Sequence, residues 1–400
     1  MSPAGIPVVM YHCVSPPQPN WIWNYLITPV GLFDEQMRLL REEGWTTISL
    51  DLLYSHMAKG TPVPDKSVVL TFDDGYADNW MYAFPILSKY GHHAVIWMTT
   101  DFVDPRRAPR PTLEDVWATK VGSEELDPRG YLSWPEMQQM VATGLIEIQS
   151  HAKTHTWYFN GPEIIDFHRP SGVDGYQFPP WLAWNQFPER KYESLSVKMD
   201  DQIPFGTPIY QYTKSLVTRR YFEDPDVTSR LVETVLQGGG AEFFARPDWR
   251  AALLGTAKAC RAAKARLETD AEYAQRVRDE LAESRRLIGD NLGYEVRFLC
   301  WPGGGYNDMT LKIAKDVGYD ATTTHYEDPD RRNVFGQNPA EINRIGSGSP
   351  CVWRGRLFRN TDPEFFIAGL EYFAGNRKSL WKLRQYKVKY LLKQWVGKGV

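Results

Sequence analysis

The sequence predicts an α/β fold, a distorted (β/α) barrel with one large insertion, and three observations support it. Short β-branched runs alternate with amphipathic stretches at helical spacing, so strands and helices are expected in turn. About eight such strands occur, a number that closes naturally into a barrel. The length of 400 residues, with 42% hydrophobic content, suits one enlarged barrel domain or two ordinary ones.

The predicted elements follow one another along the chain in a regular order. Strands are expected at residues 6–11, 46–50, 67–72, 94–98, 145–149, 296–300, 319–323 and 342–345. Helices are expected around residues 33–40 and at 80–90, 134–143, 276–288 and 311–317. Gly91 and Gly144 are typical helix ends, and Ser133 with Pro135 is a typical helix start.

The alternation breaks between about residues 157 and 265, a stretch rich in proline and aromatic residues. It predicts an insertion of loops and a few helices, which could serve as a lid or a substrate-binding region. The domain prediction is therefore a barrel formed by residues 1–156 and 266–350, an insertion at 157–265, and a basic helical tail at 351–400.

Composition excludes several classes of protein. A net charge of -3 and a pI near 6.3 give no reason to expect a nucleic-acid partner. Four scattered cysteines argue against a disulfide framework or a thiolate zinc site. The first residues lack the features of an export signal and no long apolar run occurs, so a cytoplasmic location is expected.

The tail after Glu371 contains eight basic residues and no acidic one, with aromatic residues between them. A solvated basic helix that covers the barrel is one interpretation. Peripheral docking on an anionic membrane surface, or on an acidic partner, is the other.

Two adjacent carboxylates, Asp73 and Asp74, directly follow the strand predicted at 67–72. An ionised, unpaired acid buried there would cost several kcal/mol, but a bound cation makes the pair tolerable. Gly75 would allow the tight turn that brings both side chains to the rim.

His151 and His155 follow another predicted strand and are four residues apart. With one aspartate they could form a set of three protein ligands with open positions, as in catalytic divalent-metal sites. Zn²⁺ is the expected ion, although Co²⁺ or Ni²⁺ would accept the same ligands.

Three motifs occur in a familiar order: Thr71-Phe-Asp-Asp-Gly75, His151-xxx-His155, and Cys300-Trp-Pro-Gly-Gly304 followed by Tyr306-Asn307. They resemble the signature motifs of the NodB-type polysaccharide deacetylases, carbohydrate esterase family 4, over about residues 5–155 and 270–346. The resemblance implies Asp73 as general base, with Asp74, His151 and His155 as metal ligands. It also implies that the backbone N–H of Gly303 stabilises the oxyanion.

The family needs a general acid, yet the usual C-terminal histidine motif is missing after His325. Met10-Tyr-His12 resembles a permuted subgroup, typified by biofilm poly-N-acetylglucosamine deacetylases, in which the equivalent strand is N-terminal. His12 is therefore the expected acid, and His325 is the alternative.

Three positions depart from the family pattern. Cys300 replaces an arginine that normally orients the base, and Arg344 is the candidate to supply that charge. Ala152 replaces a serine or threonine, which removes one loop hydrogen bond, and Gly303 replaces a tyrosine.

The expected reaction is removal of N-acetyl groups from an amino-sugar-containing glycan. Trp157 and Tyr158, directly after the metal motif, together with Trp301 and Tyr306, are the candidate substrate-binding residues, and residues near His168 and Arg169 could also reach the substrate. A related amidase or deformylase acting on a small or lipid-linked amide would use the same centre. A non-catalytic glycan-binding protein is the alternative from another class.

Overall fold

The computed structural model describes residues 5–18, 21, 23–324, 332–348, 351–353, 356–358 and 362–395. The chain packs as two compact units. The first consists of Met1–Lys153, Glu283–Gly304 and Gly318–Val400, and the second of Thr154–Ala282 and Gly305–Val317. The predicted insertion lies inside the second unit, which extends beyond it on both sides.

The strands are numbered here in chain order. They are β1 Val8–Tyr11, β2 Cys13–Val14, β3 Ile27–Thr28, β4 Thr46–Thr47, β5 Ser67–Phe72, β6 Ala94–Met98, β7 Ile146–Ser150, β8 Trp157–Phe167, β9 Pro208–Lys214, β10 Tyr221–Phe222, β11 Arg266–Leu267, β12 Phe298–Leu299, β13 Ala321–Thr323, β14 Glu341–Ile342, β15 Ile345–Gly346, β16 Cys351–Trp353 and β17 Arg356–Phe358.

The α-helices are numbered in the same way. They are α1 Val30–Glu42, α2 Leu50–Lys59, α3 Phe84–Tyr90, α4 Leu113–Trp117, α5 Trp134–Ala142, α6 Trp181–Gln186, α7 Pro225–Gln237, α8 Trp249–Ala259, α9 Asp270–Leu292, α10 Asp308–Val317, α11 Pro363–Phe373 and α12 Ser379–Trp395.

The first unit is built on one parallel sheet, as the alternation of strands and helices predicted. Its strands follow the order β14-β13-β12-β7-β6-β5-β1-β15, and β4 pairs with β5. Each of these neighbouring strands is parallel to the next. The predicted α/β class with a (β/α) barrel architecture is confirmed.

The two edges of this sheet are joined by one short segment, residues 341–346. β14 pairs with β13 at one edge and β15 pairs with β1 at the other, although only Asn343 and Arg344 separate the two strands. The sheet must therefore curl until its edges meet. The continuous strand predicted at 342–345 was wrong, because Asn333 takes the bonds of Asn343: its Oδ1 accepts from Asn343 N at 2.9 Å and its Nδ2 donates to Asn343 O at 2.8 Å.

Alternate residues of the parallel strands pack into one core. Val69 of β5, Val95 and Trp97 of β6 and Phe298 of β12 belong to this cluster together with one face of α2. Because side chains alternate along a strand, Thr71 and then Asp73 continue the row that Val69 begins. This alternation places Asp73 above an apolar core, at the end where the strands finish.

Two local predictions were wrong in their details. The strand expected at 46–50 ends at Thr47, because Ser49 caps α2, a helix that was not predicted; its Oγ accepts from Leu52 N at 3.2 Å. The helix expected at 80–90 begins instead with a π-helical turn, Asn79–Ala83, before α3. Pro85 has no N–H to donate to the preceding turn, which accounts for the irregularity.

The second unit contains a long antiparallel strand pair that the sequence did not predict. β8 and β9 pair antiparallel, with register shifts between Phe159 and Asp166. Gly161 and Pro162 interrupt the β-strand pattern there, so the segment reads as loop. A hydrophobic core that includes Phe167, Leu231 and Phe243 joins this strand pair to α7 and α8.

Near the C-terminus, α11 packs against α1 and α12 against α11. The side chain of Asp362 caps α11 by accepting from Glu364 N at 3.3 Å. Among the helices in the described part of the chain, none combines the length and apolar character that a membrane span requires.

Candidate metal centre

Asp74 occupies an unusual backbone position at the end of β5. Its φ is 73°, and Gly75 follows with a φ of 74°. A Cβ at Gly75 would lie 2.2 Å from Met98 Sδ, so any other residue would be strained by the positive φ and would require the side chain of Met98 to move. A non-glycine residue in the left-handed region costs of order 1 kcal/mol or more and is concentrated at functional sites.

His151 directly follows β7, and a hydrogen bond to its ring sets its orientation. Its Nδ1 lies 2.8 Å from the carbonyl oxygen of Cys300, so Nδ1 is the protonated nitrogen that donates. Nε2 then carries the lone pair, and it lies 3.2 Å from Asp74 Oδ1. Metal-ligating histidines are usually fixed in this way by a second hydrogen bond.

The three predicted ligands come together. One donor atom each from Asp74, His151 and His155 lies within 4.8 Å of the other two. A second group within the same limit is Asp73, His151 and Cys300, all buried. In that group Asp73 already accepts a hydrogen bond from Arg344, whereas Asp74 and His155 are only partly buried and leave access for water.

The donor set of Asp74, His151 and His155 fits a divalent ion. Zn²⁺ bonds to imidazole nitrogen and carboxylate oxygen are about 2.0–2.2 Å long, and tetrahedral angles then separate two ligand atoms by about 3.3–3.6 Å. The 3.2 Å between His151 Nε2 and Asp74 Oδ1 is close to the lower end of that range. Two imidazoles and one carboxylate also leave coordination positions open.

Asp73 lies beside these three residues, and its carboxylate is paired with the guanidinium of Arg344. Arg344 Nη1 donates to Asp73 Oδ1 at 2.6 Å, and both side chains are buried. Cys300 Sγ lies 3.7 Å from the other carboxylate oxygen. Burial alone would raise the pKa of Asp73, but the positive charge of Arg344 and its hydrogen bond to the carboxylate favour the ionised form, and the pKa is lowered. Asp73 is therefore ionised at neutral pH.

His12, the predicted acid, faces the same carboxylate. Its Nε2 lies 4.0 Å from Asp73 Oδ2, and its side chain is 20% exposed. Asn79 Nδ2 donates to the carbonyl oxygen of His12 at 2.9 Å, which fixes the turn after β1. Burial lowers the pKa of His12, and Asp73 and Asp74 oppose that shift.

The remaining predicted residues are placed differently from one another. Gly303 is exposed with a φ of 56°. The ring of Trp157 lies 5.8 Å from that of His155, edge to face. Tyr158 faces Arg220 and Arg276, whose guanidinium carbons lie 4.6 and 5.0 Å from its ring centre.

The other residues predicted to contact the substrate are largely buried in this structure. Trp301 is 1% exposed, so its ring could contact a substrate only after moving. His168 and Arg169 are also buried, with His168 Nδ1 3.0 Å from the hydroxyl of Tyr176. Tyr306 is half-buried, and His325 lies outside the described residues. The roles of these residues stay predictions.

Some neighbours of the site had no sequence signal. Ser284, Glu280 and Lys191 contact the loop between the two histidines, and they come from segments with no recognisable motif. Asn79 follows the first motif closely, yet its bond to the backbone of His12 depends on a contact 67 residues away.

A family model described as polysaccharide deacetylase matches residues 60–170 and 265–322. The chain is 33% identical over 286 residues to a poly-beta-1,6-N-acetyl-D-glucosamine N-deacetylase of Escherichia coli (strain K12), covering 72% of this chain and 29% of that protein. It is 35% identical over 96 residues to a putative polysaccharide deacetylase of Bacillus subtilis (strain 168), covering 24% of this chain and 32% of the relative. The chain thus spans about a third or less of these relatives' lengths.

Among solved structures, a de-N-acetylase from Aggregatibacter actinomycetemcomitans is similar, with a TM-score of 0.50 and 18% identity. The match covers 85% of this chain and 94% of that one. This likeness supports the barrel architecture.

Proposed function

Because the chain belongs to the NodB-type polysaccharide deacetylases, we propose that it removes N-acetyl groups from N-acetylglucosamine residues of a glycan. The observation that carries the proposal is the juxtaposition of two groups with different tasks. Asp74, His151 and His155 offer three ligand atoms, and Asp73 stands beside them, held ionised by Arg344. A base next to a three-ligand metal site is an arrangement that can hydrolyse an unactivated amide.

Each residue has a chemical task in this proposal. A divalent ion held by the three ligands supplies Lewis-acid polarisation of the amide and makes water more acidic. Asp73 takes a proton from the attacking water, whose oxygen forms the new bond to the carbonyl carbon. The Gly303 N–H donates to the developing oxyanion. His12 gives a proton to the departing nitrogen as the C–N bond breaks, leaving acetate and a free amine.

The substrate class follows from the relative in Escherichia coli, whose name specifies a β-1,6-linked N-acetylglucosamine polymer. We take such oligomers as the first substrate to test. Trp157, beside the ligand His155, offers an aromatic face on which a pyranose ring could stack.

Acetate release from β-1,6-linked N-acetylglucosamine oligomers tests the proposal. We expect release by the wild-type chain, its loss on treatment with a chelator, and its loss in Asp73→Asn with metal content unchanged. Turnover of small formamides without oligomer turnover would favour the amidase alternative. Glycan binding without turnover of either substrate would favour a binding protein.

Zn²⁺ is the proposed ion, and the mixed nitrogen and oxygen donors support it. The metal-free chain should regain activity with Zn²⁺, Co²⁺ or Ni²⁺. Recovery with Mg²⁺ alone would contradict this proposal, since Mg²⁺ prefers all-oxygen octahedral sites.

We further propose that α12 contacts an anionic membrane surface, consistent with a peripheral place at the inner membrane face. Trp381 is 67% exposed on this helix, and Lys382 and Arg384 are exposed beside it. The chain should co-sediment with vesicles rich in phosphatidylglycerol, and the double variant Trp381→Ser/Arg384→Gln should do so less. Equal sedimentation with neutral vesicles, or none at low salt, would contradict the proposal.

A further inference from the structure

The loop between the two histidine ligands has a strained backbone. Ala152 has a φ of 58° and His155, itself a ligand, has a φ of 38°. A non-glycine residue with such a φ is strained and persists only where surrounding contacts determine its conformation. The loop therefore needs partners that hold it in place.

The first half of the loop is held by two serines. Ser284 Oγ, on α9, donates to the carbonyl oxygen of Ala152 at 2.9 Å, and Ser150 Oγ accepts from Ala152 N at 3.1 Å. The two hydroxyl oxygens are themselves 2.9 Å apart. These bonds hold the backbone of Ala152, whose own side chain has no hydroxyl group to bond with.

The second half is held through Thr154, the residue before the ligand His155. Glu280 Oε1, also on α9, accepts from Thr154 N at 3.1 Å and from Thr154 Oγ1 at 2.7 Å. Lys191 Nζ donates to the carbonyl oxygen of Thr154 at 3.0 Å. Every polar atom of Thr154 thus bonds to one of two charged side chains.

Both charged side chains are buried, with Glu280 5% and Lys191 2% exposed. Burying a carboxylate and an ammonium is unfavourable unless other groups compensate. Apolar side chains in their place would leave the polar atoms of Thr154 without these partners. The bonds of the two charged groups converge on the peptide units that flank Thr154, one of which leads directly into His155.

We propose that Glu280 and Lys191 are positioning residues that fix Thr154, and through it the orientation of the ligand His155, and so set the affinity of the metal centre. The proposal rests on the metal site of the proposed function and adds two residues that touch neither metal nor substrate. Bonds to groups that orient a ligand typically change metal affinity by about 10–100-fold when lost.

Co²⁺ titration of the metal-free full-length chain tests this role, with the visible absorption of the bound ion as the readout. Glu280→Ala should weaken Co²⁺ binding about 10–100-fold and change the intensity of the absorption bands. Glu280→Gln keeps an oxygen that can accept both bonds from Thr154, so it should retain most of the affinity. Lys191→Met should weaken binding as Glu280→Ala does.

Glu268→Ala is the matched control. Glu268 is a buried glutamate of the same unit, and it accepts from Arg276 Nε at 2.8 Å and from Arg220 N at 2.7 Å. The Glu268→Ala substitution should lower the melting temperature of the metal-free chain without altering its affinity for Co²⁺ or the absorption spectrum of the bound ion.

The outcomes are separable from failure of the proposed function. Wild-type Co²⁺ affinity in Glu280→Ala and Lys191→Met, or an equal loss in Glu268→Ala, would overturn the positioning role while leaving the metal site intact. Failure of the wild-type chain to bind Co²⁺ would overturn the metal site itself.

Discussion

Arg344 donates from Nη1 to Oδ1 of Asp73 at 2.6 Å, across 271 residues of sequence. The bond links the candidate base, at the end of β5, to the two-residue step between β14 and β15 that joins the edges of the sheet. Arg344 thus lies in the segment that joins the sheet edges and also donates to the candidate base. It is the residue predicted to supply the positive charge of the family's arginine, whose position in the motif is occupied by Cys300.

We expect Arg344→Met to raise the pKa of Asp73 and move the acidic limb of the kcat/KM profile to higher pH. Burial then acts on Asp73 without its main opposing charge. Activity at pH 6 should fall about tenfold for each pKa unit by which that limb passes pH 6. The pH dependence of acetate release measures the shift, with Arg285→Met, at a half-exposed pair with Glu295, as control. An unmoved acidic limb would exclude Arg344 as the group that keeps Asp73 ionised.

The same substitution should affect stability in a pH-dependent way. Because the folded-state pKa of Asp73 is lowered, its contribution is present above the unfolded-state pKa of about 3.9 and is lost as the pH falls through the folded-state value. Removing one partner of a buried pair costs about 3–5 kcal/mol. Urea unfolding should show this deficit at pH 7 and a smaller one near pH 3. A deficit independent of pH would mean that lost packing, not charge, explains it.

Another prediction concerns the alkaline limb of the kcat/KM profile. Burial lowers the pKa of His12, so the protonated form that a general acid needs declines as the pH rises toward neutrality. We expect kcat/KM to fall on the alkaline side, and His12→Gln to be slow at every pH and to lack that limb, with KM little changed. His92→Gln is the control, since His92 is also buried but its Nε2 bonds to the backbone of Met37 at 2.9 Å. An alkaline limb that survives in His12→Gln would assign the acid elsewhere.

Some elements could be predicted from the sequence because local pattern alone determines them. β5 and β6 have the predicted bounds, Ser67–Phe72 and Ala94–Met98, since each is a continuous run of buried, mostly apolar residues. The strand at 342–345 was mispredicted because Asn333, a residue outside the strand, takes its backbone bonds. No periodicity in the strand itself carries that information.

The candidate site shows the same division. The candidate ligands Asp74, His151 and His155 could be predicted because each follows a predicted strand and belongs to a motif. Arg344 could be proposed only because an expected arginine was missing at position 300. Glu280 and Lys191 could not be found, because their partner is a backbone segment whose conformation no sequence pattern specifies.

The predicted contact between Trp157, at the start of the insertion, and the substrate can be tested by substitution. Trp157→Ala should raise KM for glycan oligomers several-fold while leaving Co²⁺ affinity unchanged, because the ring of Trp157 lies beside the candidate ligand His155 but offers no ligand atom itself. Tyr212→Ala, at an exposed aromatic residue of the paired strand β9, is the control. Wild-type kinetics in Trp157→Ala would remove this residue from the substrate-binding surface.

The turn that presents Asp74 allows the effect of φ to be separated from that of crowding. Gly75 and Gly91 have φ values of 74° and 72°, but a Cβ at Gly75 would lie 2.2 Å from Met98 Sδ whereas nothing lies within 4 Å of one at Gly91. Alanine at a position with positive φ costs about 1 kcal/mol, and forced overpacking adds about 1–3 kcal/mol. Gly91→Ala should therefore lower the free energy of unfolding by only about 1 kcal/mol, the cost of the positive φ, and it should keep full activity. In Gly75→Ala the costs of positive φ and of overpacking should both lower the free energy of unfolding. This variant should also bind Co²⁺ more weakly, because relief of the clash displaces Asp74. Equal unfolding free energies and equal Co²⁺ affinities in the two variants would show that the structure accommodates the added Cβ at Gly75 without displacing Asp74.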